Sequence, residues 1–310
     1  MHITRRTVIE GALATAGVGR LADALAAEPA ALPPILRTIP STGERIPVVG
    51  IGSNAYDVET PAATAPLKQV LREFPGLGGK VIDSARGYGR SEAVIGQLLA
   101  EIGNRDRYFI ATKAISAPQA QAVLTRALID ESFQTLRVQV IDLMQVHSMV
   151  RLEELIPIYR EYQQEKRIRY IGSTTASAGQ HAQFMESMKK HPLDFVQVDY
   201  SIANRAAAKD LLPLAQQRGI AVLNNMPFGG RNGSLFPRVA GKPVPEWAGE
   251  FDATTWAQFM LKYNLSHPAI TAVIPGTTSL AYLRDNQAAG RGRLPDAAMR
   301  RRMEQHWDSL

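Results

Sequence analysis

The chain has 310 residues, no cysteine and a net charge of +6, with 45% apolar and 21% charged residues, an ordinary globular composition long enough for one large domain or two smaller ones. Without cysteine it holds no disulfide, iron–sulfur cluster, thiol nucleophile or zinc–thiolate site. Its positive charge is scattered and no stretch nears the roughly 18 continuous apolar residues of a membrane span, so neither nucleic acid nor a stable membrane anchor is expected.

Residues 1–26 differ in kind from the rest. They carry a basic head with Arg5 and Arg6, a Gly/Ala-rich segment interrupted by Glu10, and an Ala24-Leu25-Ala26 end. That is the layout of a cleavable secretory signal. The arginine pair before a weakly apolar segment resembles a twin-arginine signal. It implies the twin-arginine export machinery as a partner and a periplasmic location. The alternative is an amphipathic N-terminal helix that stays on the protein. Residues 27–35, AEPAALPPI, read as a linker.

From residue 36 to 310 the pattern is that of a barrel domain. Two short β-type runs flank Ser41-Thr42-Gly43-Glu44, a hairpin signal. Strand-length apolar runs then recur at 47–52, 80–84, 108–113, 140–146, 168–173, 194–199, 220–224 and 270–274. Helical spacing fills 91–102, 118–136, 152–166 and 208–219 between them. Such alternation implies right-handed βαβ units and a parallel sheet. Eight strands in about 280 residues fit an α/β fold of the closed (β/α)8 TIM-barrel class with an N-terminal β-hairpin. An open doubly wound sheet is the alternative, but the first strand ends GIGSNAYD and lacks G-x-G-x-x-G. There is no P-loop and no G-x-S-x-G elbow. The connection 226–251 is long for a βα turn and reads as a functional loop. Its Phe228, Phe236 and Trp247 suggest an apolar lining, with packing under their own loop as the equal alternative.

In such a barrel the active site stands at the carboxyl ends of the strands. Successive runs end in Asp83, Lys113 and His147, and the sixth carries Gln197 and Tyr200. Singly, Asp83 reads as a turn residue, Lys113 as a snorkelling surface lysine and His147 as a satisfied core histidine. Converging on one mouth, they make a proton-transfer device with Tyr88, which sits between Gly87 and Gly89. An ammonium at Lys113 stabilises a phenolate, Asp83 keeps the buried ammonium charged, and His147 orients a substrate oxygen. The target is a carbonyl or alcohol oxygen.

The stretch VIDSARGYGRSEAVIG, followed in order by IATK, DLMQVH, YIGSTT, QVDYSIANR and VIPGTTSLAYLRDN, resembles the aldo/keto reductase family over roughly residues 36–290. The resemblance implies a catalytic tetrad of Asp83, Tyr88, Lys113 and His147. It implies a nicotinamide cofactor, NADP with NAD as the alternative, and a small-molecule carbonyl substrate. Gly52 and Ser53 would approach the cofactor backbone, and Ser173 and Gln197 would hold the carboxamide. Pro227, Phe228 and Gly229 would cover the pyrophosphate. Pro275, Gly276, Arg284 and Asn286 would lie at the adenine end. The chain departs from the family in having Ser173-Thr174 for Ser-Asn. It has Asn225 and Met226 where many members place an aromatic ring. Gly276 and Tyr282 stand where cations often meet a 2′-phosphate, which leaves Arg284 for that task. A cofactor-binding redox sensor or partner subunit with little turnover is the alternative to a reductase.

Overall fold

The computed structural model describes residues 32–114, 122–230 and 233–310. The expected signal over 1–26 and the start of the linker lie outside the described residues. Residues 32–310 form one compact unit.

Strands β1 (Leu36–Thr38) and β2 (Arg45–Pro47) pair antiparallel, with Arg37 opposite Ile46. Gly43 supplies the left-handed turn residue at φ +80°. Eight parallel strands follow: β3 (Ile51–Gly52), β4 (Val81–Asp83), β5 (Phe109–Thr112), β6 (Ile141–Val146), β7 (Ile168–Thr175), β8 (Phe195–Asp199), β9 (Ala221–Asn225) and β10 (Ala272–Val273). Each pairs with its sequence neighbours. Bridges Val49–Val273 and Gly52–Gly276 join the last strand to the first and close the barrel. The open-sheet alternative is thereby set aside.

Ten helices are described: α1 (Pro61–Glu73), α2 (Ser91–Ile102), α3 (Ala122–Leu136), α4 (Leu152–Gln164), α5 (His181–Lys190), α6 (Leu211–Gln217), α7 (Phe236–Val239), α8 (Trp256–Leu265), α9 (Leu280–Ala289) and α10 (Ala297–Ser309). Side-chain caps start four of them: Thr60, Thr255, Ser279 and Asp296 each accept a backbone N–H of the first turn.

The barrel interior is a separate apolar cluster that includes Val81, Phe109, Leu143, Tyr170, Phe195, Leu223 and Ala272. Ile39 and Ile46 of the hairpin belong to it and plug the amino-terminal end. The hairpin is fastened there by polar contacts. Glu44 accepts from Lys80 at 3.0 Å and Tyr170 at 2.8 Å, and pairs with Arg169. Arg37 donates to the carbonyls of Leu265, His267 and Ile270.

Strand periodicity decides what stands at the other end. Side chains alternate faces along a strand. Two residues on from the inward Val81 comes Asp83, and from Ala111 comes Lys113. Two on from Leu143 comes Gln145, and then His147. Tyr170 leads through Gly172 to Thr174, Phe195 to Gln197, and Leu223 to Asn225. The uppermost interior layer is therefore polar, above apolar layers.

Candidate active site

The polar layer opens into a cleft of about 630 Å³ lined by Asp83, Tyr88, His147, Thr174, Gln197 and Asn225, with the loops around Gly52, Phe228 and Gly276. At its centre is an ion pair. Lys113 Nζ donates to Asp83 Oδ2 at 2.7 Å and to the Ser84 carbonyl at 2.7 Å. Both side chains are buried, Lys113 fully so. Asp83 Oδ1 accepts from Gln145 Nε2 at 3.0 Å. The ammonium lies 5.2 Å from the centroid of the Tyr88 ring. Burial pushes the Lys113 pKa down, but Asp83 and then Tyr88 outweigh it, and the net shift is upward. Lys113 is an ammonium at neutral pH.

Tyr88 is half-buried on a tight turn after β4. Its N–H donates to Ala85 O and its carbonyl accepts from Ser91 N. Gly89 makes the turn at φ +57°, where a Cβ would fall 2.3 Å from Asp57 Oδ2. Asp57 in turn accepts from the Arg90 N–H at 3.0 Å. The start of α2 is anchored beneath. The Ser91 hydroxyl meets those of Ser53 at 2.8 Å and Ser84 at 3.0 Å. Buried Glu92 accepts from Thr112 at 2.6 Å and Ser132 at 3.2 Å. One short segment thus ties β3, β4 and β5 under the tyrosine.

His147 meets the Tyr88 ring edge-on, with centroids 6.0 Å apart and planes at 87°. Burial, then the Lys113 charge, lowers its pKa to about 4. The imidazole is neutral at physiological pH and is able to offer a hydrogen bond. The backbone just beyond it is strained: Ser148 has φ 50°. Its N–H donates to Thr174 Oγ1 at 2.9 Å, which pins the loop to β7.

Several expected cofactor residues line this cleft, namely Gly52, Ser53, Gln197, Pro227, Phe228, Gly229 and Gly276. The Gln197 Nε2 and Asn225 Oδ1 atoms are buried and have no hydrogen-bond partner among the described residues. A cofactor with a polar head would meet that need, so the residues present fit a nicotinamide. At Gly52 a Cβ would lie 2.8 Å from Ile274 O. Among the described residues no group of three or more His, Asp or Glu is placed to hold a metal ion.

Four expected cofactor residues do not line it. Ser173 is out of phase with the inward residues of its strand, and its hydroxyl donates to Val146 O of β6 at 3.4 Å; its neighbour Thr174 lines the cleft instead. Pro275 is buried, with its carbonyl accepting from Gly52 N. Asn286 is buried and donates to Thr277 Oγ1 at 3.1 Å. Arg284 is exposed on α9. Tyr200 also lies outside the cleft: it donates to Tyr263 at 3.2 Å and accepts from Arg300 at 2.6 Å. Thr174, Ser148 and Asn54 were missed by motif reading, although counting by twos along β7 reaches Thr174.

The family profile described as Aldo/keto reductase family matches residues 48–308. The chain belongs to the aldo/keto reductase family. L-galactose dehydrogenase of Arabidopsis thaliana is 24% identical over 285 residues, covering 82% of this chain and 87% of that protein. Pyridoxine 4-dehydrogenase of Escherichia coli is 26% identical over 264 residues, covering 77% and 88%. An aldo-keto reductase from Bacillus halodurans in its holo form superposes with a TM-score of 0.71 at 21% identity, covering 88% of this chain and 96% of that one. One from Klebsiella pneumoniae in complex with NADPH gives 0.71 at 22%, covering 88% and 95%. These structural likenesses show the shared aldo/keto reductase fold.

The shift at His147 predicts a pH dependence of stability. Its folded pKa is about 4 against an ordinary 6.5. Between those values the unfolded chain binds more protons, so stability is full above pH 6.5 and falls as the pH drops toward 4. His267, lowered to about 4 by burial and by Arg300, adds to the same window. The urea midpoint should therefore fall across it, and fall less steeply in His147→Gln. An equally steep fall in both proteins would remove His147 from the account.

Proposed function

We propose that this protein reduces an aldehyde or ketone to an alcohol, with NADP(H) as cofactor and Tyr88 as proton donor. The observation that carries the reading is the buried Lys113–Asp83 pair at 2.7 Å placed beside the Tyr88 phenol. When bound, the nicotinamide supplies the hydride that reaches the carbonyl carbon. His147, neutral, hydrogen-bonds the carbonyl oxygen and orients it. Tyr88 donates its phenolic proton to that oxygen. Lys113 stabilises the charge left on the phenol oxygen, and Asp83 keeps Lys113 protonated. In the reverse direction the same phenol takes the proton back.

Gln197 and Thr174 would hold the nicotinamide head, Gly52 and Ser53 would lie along the cofactor backbone, and Pro227 to Gly229 would cover the pyrophosphate. Two relatives are named as dehydrogenases of L-galactose and of pyridoxine, so a small hydroxyl-bearing substrate belongs to the proposal. Asp83, Tyr88 and His147 in one cleft, with Lys113 buried against Asp83, favour turnover over a nucleotide-binding sensor.

Tyr88→Phe should lower carbonyl reduction by about two to four orders of magnitude, the range for a general acid, and leave NADPH affinity near wild type. Steady-state assays on a panel of small aldehydes, with fluorescence titration of NADPH, measure both; comparable turnover in the variant would end the assignment.

Exposed Arg284 is the proposed partner of the 2′-phosphate. Arg284→Ala should weaken NADPH binding several-fold and leave NADH binding unchanged by calorimetry. Equal loss for both nucleotides would refute the pairing.

Export is the proposed fate of the chain, supported by Arg5-Arg6 and the Ala24-Leu25-Ala26 end. Lysine keeps the charge of arginine but loses the planar fork. Changing both arginines to lysine should trap full-length protein in the cytoplasm, while the wild type appears in the periplasm cleaved after Ala26. Fractionation with N-terminal sequencing decides it, and uncleaved cytoplasmic wild type would return the segment to an ordinary helix.

A further inference from the structure

We infer that Asn225 recognises the amide N–H of the nicotinamide carboxamide, its Oδ1 completing a cradle begun by Thr174 and Gln197. The inference rests on the nicotinamide reading above and names one more residue of that same site.

Three neighbouring strands set the cradle. Thr174 on β7 stands opposite Gln197 on β8, and Gln197 stands opposite Leu223 on β9. Leu223 belongs to the barrel interior. Asn225 is two residues further along β9 and so faces the same way. All three polar side chains line the cleft.

Each has a hydrogen-bonding function left over. Thr174 Oγ1 accepts from Ser148 N, which leaves its hydroxyl hydrogen to donate. Gln197 Nε2 is a buried donor and Asn225 Oδ1 a buried acceptor, both without a partner among the described residues. Buried polar atoms are almost always satisfied, so a pair left unmet in one cleft points to a ligand. The set is two donors and one acceptor. A primary carboxamide presents the complement: one carbonyl oxygen that accepts two hydrogen bonds and an NH₂ that donates. A ketone, an ester or a carboxylate offers nothing for Asn225 Oδ1 to accept.

The backbone around Asn225 is fixed. Its carbonyl accepts from Asn224 Nδ2 at 2.8 Å. Met226 follows in the left-handed region at φ 52°. Gly230 passes so near that a Cβ there would lie 2.2 Å from Met226 Sδ. Asp199, opposite Asn225 in the sheet, has Oδ2 engaged by Asn204 Nδ2 at 3.0 Å. The cradle thus recognises the head group by its hydrogen bonds at a strand end that carries no aromatic ring.

The test is equilibrium binding, by calorimetry, of NADP⁺ and of its 3-acetylpyridine analogue, which keeps the carbonyl but has a methyl group in place of NH₂. Wild type should bind the analogue about tenfold more weakly than NADP⁺, as expected for one lost hydrogen bond with a buried acceptor left unmet. Asn225→Leu should weaken NADP⁺ about tenfold, leave the analogue nearly unchanged, and so lose the preference. Asn225→Asp keeps an acceptor oxygen and should keep the preference. A merely structural role would weaken both nucleotides together. The same preference in wild type and Asn225→Leu overturns the role of Asn225 alone. Binding of neither nucleotide to the wild type overturns the nicotinamide reading and this inference with it.

Discussion

The Asp83–Lys113 ion pair is the constraint around which the site is built. A fully buried ammonium is expensive to desolvate. Here Nζ meets a carboxylate and a carbonyl, both at 2.7 Å, and the carboxylate's other oxygen is held by Gln145. Three adjacent strands, β4, β5 and β6, are thereby coupled through four polar groups. A buried pair of this kind contributes little net stability compared with apolar residues of the same shape, yet losing one partner costs about 3–5 kcal/mol. Its presence is explained by what a fixed positive charge does beside a phenol. Stability alone would favour leucine and methionine in those positions.

The barrel turns that charge into a site by counting in twos. Inward positions below are filled by Val81, Phe109, Leu143, Tyr170, Phe195 and Leu223. The next inward positions at the carboxyl end carry Asp83, Lys113, Gln145, His147, Thr174, Gln197 and Asn225. The apolar layers give a dry floor and the hairpin closes the far end. A proton donor placed over such a floor works in a medium where a nearby charge acts more strongly than in water. The same rule explains two placements outside the cleft lining. Ser173 is one residue out of phase with the interior. Tyr200 lies beyond the end of β8 and joins Tyr263 and Arg300 instead.

Most of the fold was legible because strand and helix leave different periods in the sequence. All eight barrel strands lie within the expected runs apart from one or two residues at their ends, and α2 spans 91–102 as its spacing predicts. Of the six described helices that periodicity did not pick out, three have a plain physical reason. Helix α8 is buried over nearly its whole length and so has no polar face to set a period, whereas α10 buries only Met303 and Trp307. Helix α1 carries Pro66 in its interior. That Asp83, Lys113 and His147 would stand together was legible because they end successive strand runs, with Tyr88 on the turn after the first of them. Which of two adjacent hydroxyls faces inward was not, since a motif fixes neighbourhood but register fixes the face. The aromatic residues of 226–251 show the same limit. Phe228 does line the cleft and packs on Phe236. Trp247 instead packs on Phe251, Phe259 and His306 under its own loop.

Burial acts on Lys113 and His147 alike, and their partners send them in opposite directions. Desolvation disfavours the charged form of both. Lys113 has a carboxylate at 2.7 Å, so its pKa rises in spite of burial. His147 feels that same ammonium more than it feels Asp83, so its pKa falls to about 4. At neutral pH the site therefore holds a cation and a neutral hydrogen-bonding group, both beside one phenol. Titratable groups driven apart in this way mark a division of chemical roles. An imidazolium at His147 would compete with Tyr88 as proton donor and would place a second positive charge beside Lys113. Holding His147 neutral removes that competitor, which is consistent with the proposal that Tyr88, backed by Lys113, exchanges the proton with the substrate oxygen.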